Sequence, residues 1–147
     1  VVTSSNACGY ICLSILLFSF LTSAAIAADL LSIPAGASDS YACALIEQTH
    51  TRAIDIWRAN DLTGSLELLK YCESSLKKRS LWMPPKLPEK PTADQIRALK
   101  ITNNVIFSLA SIYQRLGRRA DSERYADEAR KRGLLPKVFM AGEKRIR

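Results

Sequence analysis

Residues 103–133, NNVIFSLASIYQRLGRRADSERYADEARKRG, restrict the fold more than any other stretch. Ile106, Leu109, Ala110, Tyr113 and Leu116 recur at steps of three and four, the period of one helix face. Val105, Phe107 and Ile112 fall off that face, so this helix needs cover on more than one side. Gly117 can close it in a left-handed conformation, with the turn at Leu116, Gly117 and Arg118. Beyond the turn, Ser122, Tyr125, Ala126 and Ala129 form a second stripe. Asp121 and Glu123 stand in that helix's first turn and Arg130, Lys131 and Arg132 in its last, which complements the helix dipole. Gly133 and then Pro136 form a stop. A helical hairpin is the expectation.

Short side chains at Ala110, Ser122, Ala126 and Ala129 let two helices approach closely. Their spacing resembles the tetratricopeptide repeat (TPR) family, in which small and aromatic residues and a Gly fall at fixed steps. Ala110, Tyr113, Gly117, Ser122, Ala126 and Ala129 match those steps. Ile106 and Leu109 stand where the family has a large apolar pair, and the family's closing Pro is displaced to Pro136. A weaker copy lies earlier: Ala53, Ile56, Asn60, Ser65, Leu69 and Cys72 have the same spacing. There, Thr49 and Arg52 replace the apolar pair, and Trp57 sits one place beyond the aromatic position. The copies are about 57 residues apart, against about 34 in a contiguous array.

The fold class implied is all-α: two antiparallel helical hairpins in a TPR-like right-handed stack, preceded by a hydrophobic signal helix. In that family the first helix of each pair lines a concave groove that holds peptides or partner proteins. The matching positions of the second copy are Asn104, Phe107, Ser108, Ser111, Gln114 and Arg115. They lack the Lys and Asn clamp that chaperone-binding members use on a terminal carboxylate. Two repeats are also fewer than the roughly three needed for independent stability, so an oligomer or a larger complex is one way to make up the deficit.

The rest of the chain falls into place around this unit. Residues 1–28 carry no charged side chain, and an apolar run at 11–20 leads to Ala25-Ile26-Ala27. This reads as a secretory signal peptide, although no Lys or Arg precedes the apolar run; the alternative is an uncleaved membrane anchor. Residues 29–38 form a flexible lead-in. Ser38 or Asp39 can cap a helix whose stripe is Ala42, Leu45, Ile46, Thr49, Ala53, Ile56 and Trp57. Asn60 and Asp61 make the turn, and Asp61 or Thr63 can cap a second helix with Leu66, Leu69, Cys72 and Leu76 inward. The first hairpin therefore spans 39–79.

Residues 80–91 form a Pro-rich linker expected to favour extended polyproline conformations, with Trp82 and Met83 folded back onto the helices. Pro84 to Pro88 in that linker is alternatively a ligand for an aromatic groove. Thr92 and Gln95 match a capping box, opening the second hairpin at 92–135. Residues 136–147 form a basic tail that is expected to fold over the last hairpin as a cap.

Chemistry is sparse. Cys8 and Cys12 lie in the signal segment, leaving Cys43 and Cys72 either as a disulfide or as two small buried thiols. His50 is the only His and reads as a helix-surface residue. Beside Glu47 or Asp55 it can do general acid–base work, but no nucleophile is fixed nearby. There is no phosphate loop, no C-x-x-C and no H-E-x-x-H, so neither an enzyme, a metal nor a cofactor is expected. The net charge of +7 is concentrated from Arg115 onward, with a basic patch at Arg118, Arg119, Arg130, Lys131 and Arg132. The function expected is an exported, non-catalytic, periplasmic or secreted protein-interaction scaffold, or a small accessory subunit. The alternative is a basic envelope protein that binds anionic lipid or polysaccharide. Nucleic acid is not an expected partner.

Overall fold

The computed structural model describes residues 33–134, and within them the protein is all-helical, with four helices and no strand. The chain divides into two compact units, Val1–Pro34 and Ala35–Arg147; all four helices belong to the second. They are α1 (Asp39–Arg58), α2 (Leu62–Lys78), α3 (Ala93–Arg115) and α4 (Arg119–Lys131). The expected signal helix and the basic capping tail lie outside the described residues. No described helix is long and apolar enough to cross a membrane.

Each helix starts where a side chain can satisfy its free N–H groups. Ser38 accepts from the Tyr41 N–H to cap α1, and Asp61 accepts from the Gly64 N–H at 2.8 Å to cap α2. Thr92 and Gln95 form the reciprocal box that opens α3: each side chain accepts from the other residue's backbone N–H. Arg118 gives α4 no side-chain cap. The interhelix turns use left-handed residues, Asn60 with φ 67° and Gly117 with φ 70°.

Consecutive helices pack together along the chain, α1 on α2, α2 on α3 and α3 on α4; in addition α1 touches α3. The core runs through all of them: Ile46 on α1, Leu69 and Leu76 on α2, and Ile101, Ile106, Leu109 and Ile112 on α3 are fully buried. Each contributes on the order of 1.5–3 kcal/mol relative to exposure. Helix α3 buries most, in keeping with its near-continuous apolar character, while α4 buries only Tyr125 and Ala129. Of the small residues at the repeat steps, Ala53, Ser65, Cys72, Ala110 and Ala129 are buried. Leu69 and Tyr113 are buried with them, whereas Ile56, Ser122 and Ala126 are half-buried and Gly117 is exposed at its turn.

The linker differs from an extended strap. The chain bends at residues 85–86 and again at 89–90. The reason lies at its root, where Leu81 is buried and accepts from the Thr102 hydroxyl at 3.4 Å. The same hydroxyl accepts from the Met83 N–H at 3.4 Å, and Lys77 lies 4.9 Å from the Trp82 ring centre. Trp82 and Met83 do sit half-buried, but Leu81 makes the deepest anchor. Tethered there on α3 and restarting at the Thr92 cap, the segment has to curve.

The two thiols are free: Cys43 and Cys72 are both buried and unbonded to one another. Cys72 Sγ instead donates to the Ile46 carbonyl at 3.7 Å, one turn past Cys43, so the two residues are out of step across the α1–α2 contact. Burial holds the Cys43 thiol above its usual pKa and pushes Cys72 up to about 12.

Candidate functional site

The face on which α1 lies against α3 includes two of the residues expected to receive a partner, Ser108 and Arg115. Three side-chain polar or cation–π contacts cross it. Arg97 on α3 donates to Glu47 on α1 through Nε and through its terminal nitrogen at 2.7 Å. His50 Nε2 lies 3.0 Å from Ser108 Oγ. The Arg115 guanidinium lies 5.8 Å from the Trp57 ring centre. Residue numbers rise together on both sides, from Glu47 through His50 to Trp57 and from Arg97 through Ser108 to Arg115. The two helices therefore run in the same direction.

The six expected groove positions on α3 separate into two groups. Asn104, Phe107, Gln114 and Arg115 are exposed, with Phe107 47% exposed despite its size; Ser111 is half-buried and donates to the Phe107 carbonyl. Ser108 is a correction: it is 4% exposed and turned to His50, so its hydroxyl is not offered to solvent. His50 is corrected with it. It is half-buried between two helices rather than standing on a helix surface, because α3 arrives beside it. Neither fact is visible locally, since 58 positions separate the pair.

A His–Ser hydrogen bond is half of an acyl-transfer machinery, and it supplies the hydroxyl missing from the sequence reading. The surroundings do not extend it. Ser108 sits inside α3, where backbone N–H groups are committed to the helix and cannot line up on an oxyanion. Glu47, the carboxylate one turn from His50, is engaged by Arg97. Among the described residues no group of three or more His, Cys, Asp and Glu side chains can hold a metal ion.

One member of the basic patch is revised, Arg132. Arg118 pairs with Asp121 at 2.7 Å, Arg119 with Glu123 at 2.9 Å and Arg130 with Asp127, each within one turn of α4. Arg132 is not on a free surface at all. Its side chain is 3% exposed, held by Glu128 at 2.8 Å and by Asn103 of α3 at 3.2 Å. Lys131 remains exposed. The one-turn spacing that produces these pairs was readable in the sequence; the Asn103 contact was not.

A second polar cluster lies where α4 reaches α2. Tyr125 donates to Glu73 at 2.7 Å, and Glu73 also pairs with Lys77 at 2.7 Å. The Tyr125 ring stacks on Tyr113 with centroids 5.6 Å apart, and Arg118 and Arg124 lie over the Tyr113 and Tyr125 rings respectively. Burial, with the Glu73 bond, raises the Tyr125 pKa, so the phenol stays a proton donor at neutral pH. Searches of family models, curated proteins and solved structures find no match to this chain.

Proposed function

We propose that the chain is an exported, TPR-like scaffold of two antiparallel helical hairpins that binds protein partners on the α1–α3 face. The observation that carries this reading is Phe107. A large aromatic side chain remains 47% exposed on α3, the most deeply buried helix, on the face that the repeat resemblance assigns to a partner. The same-direction alignment of α1 and α3 supports it, as does burial of short side chains at Ala53, Ser65, Cys72, Ala110 and Ala129. Asn104, Ser111, Gln114 and Arg115 supply donors and acceptors around the ring, a mixture suited to a peptide backbone. Binding is non-catalytic and needs no cofactor.

The alternative, a basic surface for anionic lipid or polysaccharide, is weakened by the ion pairs that occupy Arg118, Arg119, Arg130 and Arg132. A photo-crosslinking amino acid at position 107, with a second variant carrying it at Lys70 on the exposed side of α2, tests the proposal. Exposed to an envelope extract, position 107 is expected to give a discrete protein adduct that position 70 does not. Equal labelling at both positions, or none at 107, contradicts it. Adduct formation that instead collapses with added salt and is competed by anionic vesicles favours the basic-surface alternative.

A further inference from the structure

We propose that His50 makes the α1–α3 contact acid-sensitive, so that protonating this imidazole loosens the two helices from one another. Of the three side-chain polar or cation–π contacts across this face, the Glu47–Arg97 pair is near 40% exposed on both sides and is therefore screened by solvent. His50 is the interior one, bonded to a Ser108 that is 4% exposed. The α1–α3 contact is smaller than the contacts of α1 with α2, α2 with α3 and α3 with α4. A charge placed there is opposed by little other packing.

The surroundings suit a neutral ring better than a cation. The contact across the interface is uncharged: the Ser108 hydroxyl can bond either form of the ring but offers an imidazolium no counter-charge. Glu47, on the same helix, is the one charged group that contributes to His50's shift, and it already accepts two bonds from Arg97. That guanidinium cancels much of the counter-charge an imidazolium would use. Burial accordingly outweighs the upward pull of the Asn104 backbone and of Glu47, and the ring's pKa is held below its ordinary value.

The sign follows from linkage. A His whose pKa is lower folded than unfolded contributes stability that is fully present above the unfolded value of about 6.5. That stability is lost as pH falls through the lower, folded value. Acidification below about 6.5 therefore weakens the α1–α3 contact first. This holds whatever molecule the face binds, so it does not depend on the scaffold reading.

Because the chain has one His, its imidazole resonances need no assignment. Titrating the full chain by NMR from pH 8 to pH 4.5 is expected to give a midpoint below 6.5; a midpoint at or above 6.5 overturns the proposal. Thermal unfolding supplies the second readout. The wild-type midpoint is expected to fall by at least about 2 °C more than that of His50→Gln between pH 7.5 and pH 5. Equal slopes in the two proteins overturn it, since the loss would then belong to carboxylates alone. Should His50→Gln fail to fold, amide exchange of the wild type decides: extra opening at acid pH must be centred on α1 and α3, and uniform opening contradicts the proposal.

Discussion

Tyr125, on α4, donates its phenolic proton to Glu73 at 2.7 Å, across 52 positions of sequence. The bond ties α4 to α2, two helices that are not neighbours in the chain. Glu73 has a side chain 15% exposed and a second partner in Lys77, so the carboxylate is fixed from two sides.

That arrangement predicts coupling. In a double-mutant cycle of Glu73→Gln and Tyr125→Phe, measured by urea unfolding, the two substitutions are expected to interact by about 1 kcal/mol. Additive effects would show that the bond contributes nothing in solution.

Ser65 leads to a stabilising substitution. Its hydroxyl is fully buried at the start of α2 and has no hydrogen-bond partner. Ser65→Ala removes an unsatisfied polar group, keeps the short side chain the contact needs and improves helix propensity. A gain of about 1 kcal/mol in urea unfolding is expected. A loss of that size would mean the hydroxyl does have a partner.

Ser80 follows the end of α2 with φ 57°, a region that disfavours side chains. Ser80→Gly is expected to raise the thermal midpoint, by about 1 kcal/mol of relieved strain less the entropy glycine adds to the unfolded chain. A lower midpoint would show that the serine side chain compensates for its backbone.

The thiols report on the core. Cys72 is buried with its pKa pushed up to about 12, and Cys43 is buried with a raised pKa. Neither is expected to react with iodoacetamide at pH 8 in the native protein, and both are expected to react in urea without reductant. Peptide mass mapping separates them from Cys8 and Cys12. Failure to react in urea until reductant is added would indicate a disulfide.

Much of the helical class was readable because its signals are local. Ser38, Asp61 and the Thr92–Gln95 box act within three residues, and Gly117 closes α3 where the apolar period stops. The one-turn charge pairs of α4 are of the same kind. What escaped reading depends on which helices meet. Ser108 looks like any polar residue on a helix face until α1 brings His50 to it. Arg132 looks like the end of a basic run until Asn103 and Glu128 enclose it. Leu81, inside a Pro-rich linker, gave no periodic signal because it belongs to no helix, yet it anchors that linker.

The most direct measurement of the α1–α3 alignment is a carbon-edited NOESY spectrum of the full chain at pH 7.5. The imidazole protons of His50, the sole histidine, are expected to show cross-peaks to the Ser108 Hβ protons, as the 3.0 Å contact requires. A spectrum in which His50 reaches only residues of its own helix would contradict the account.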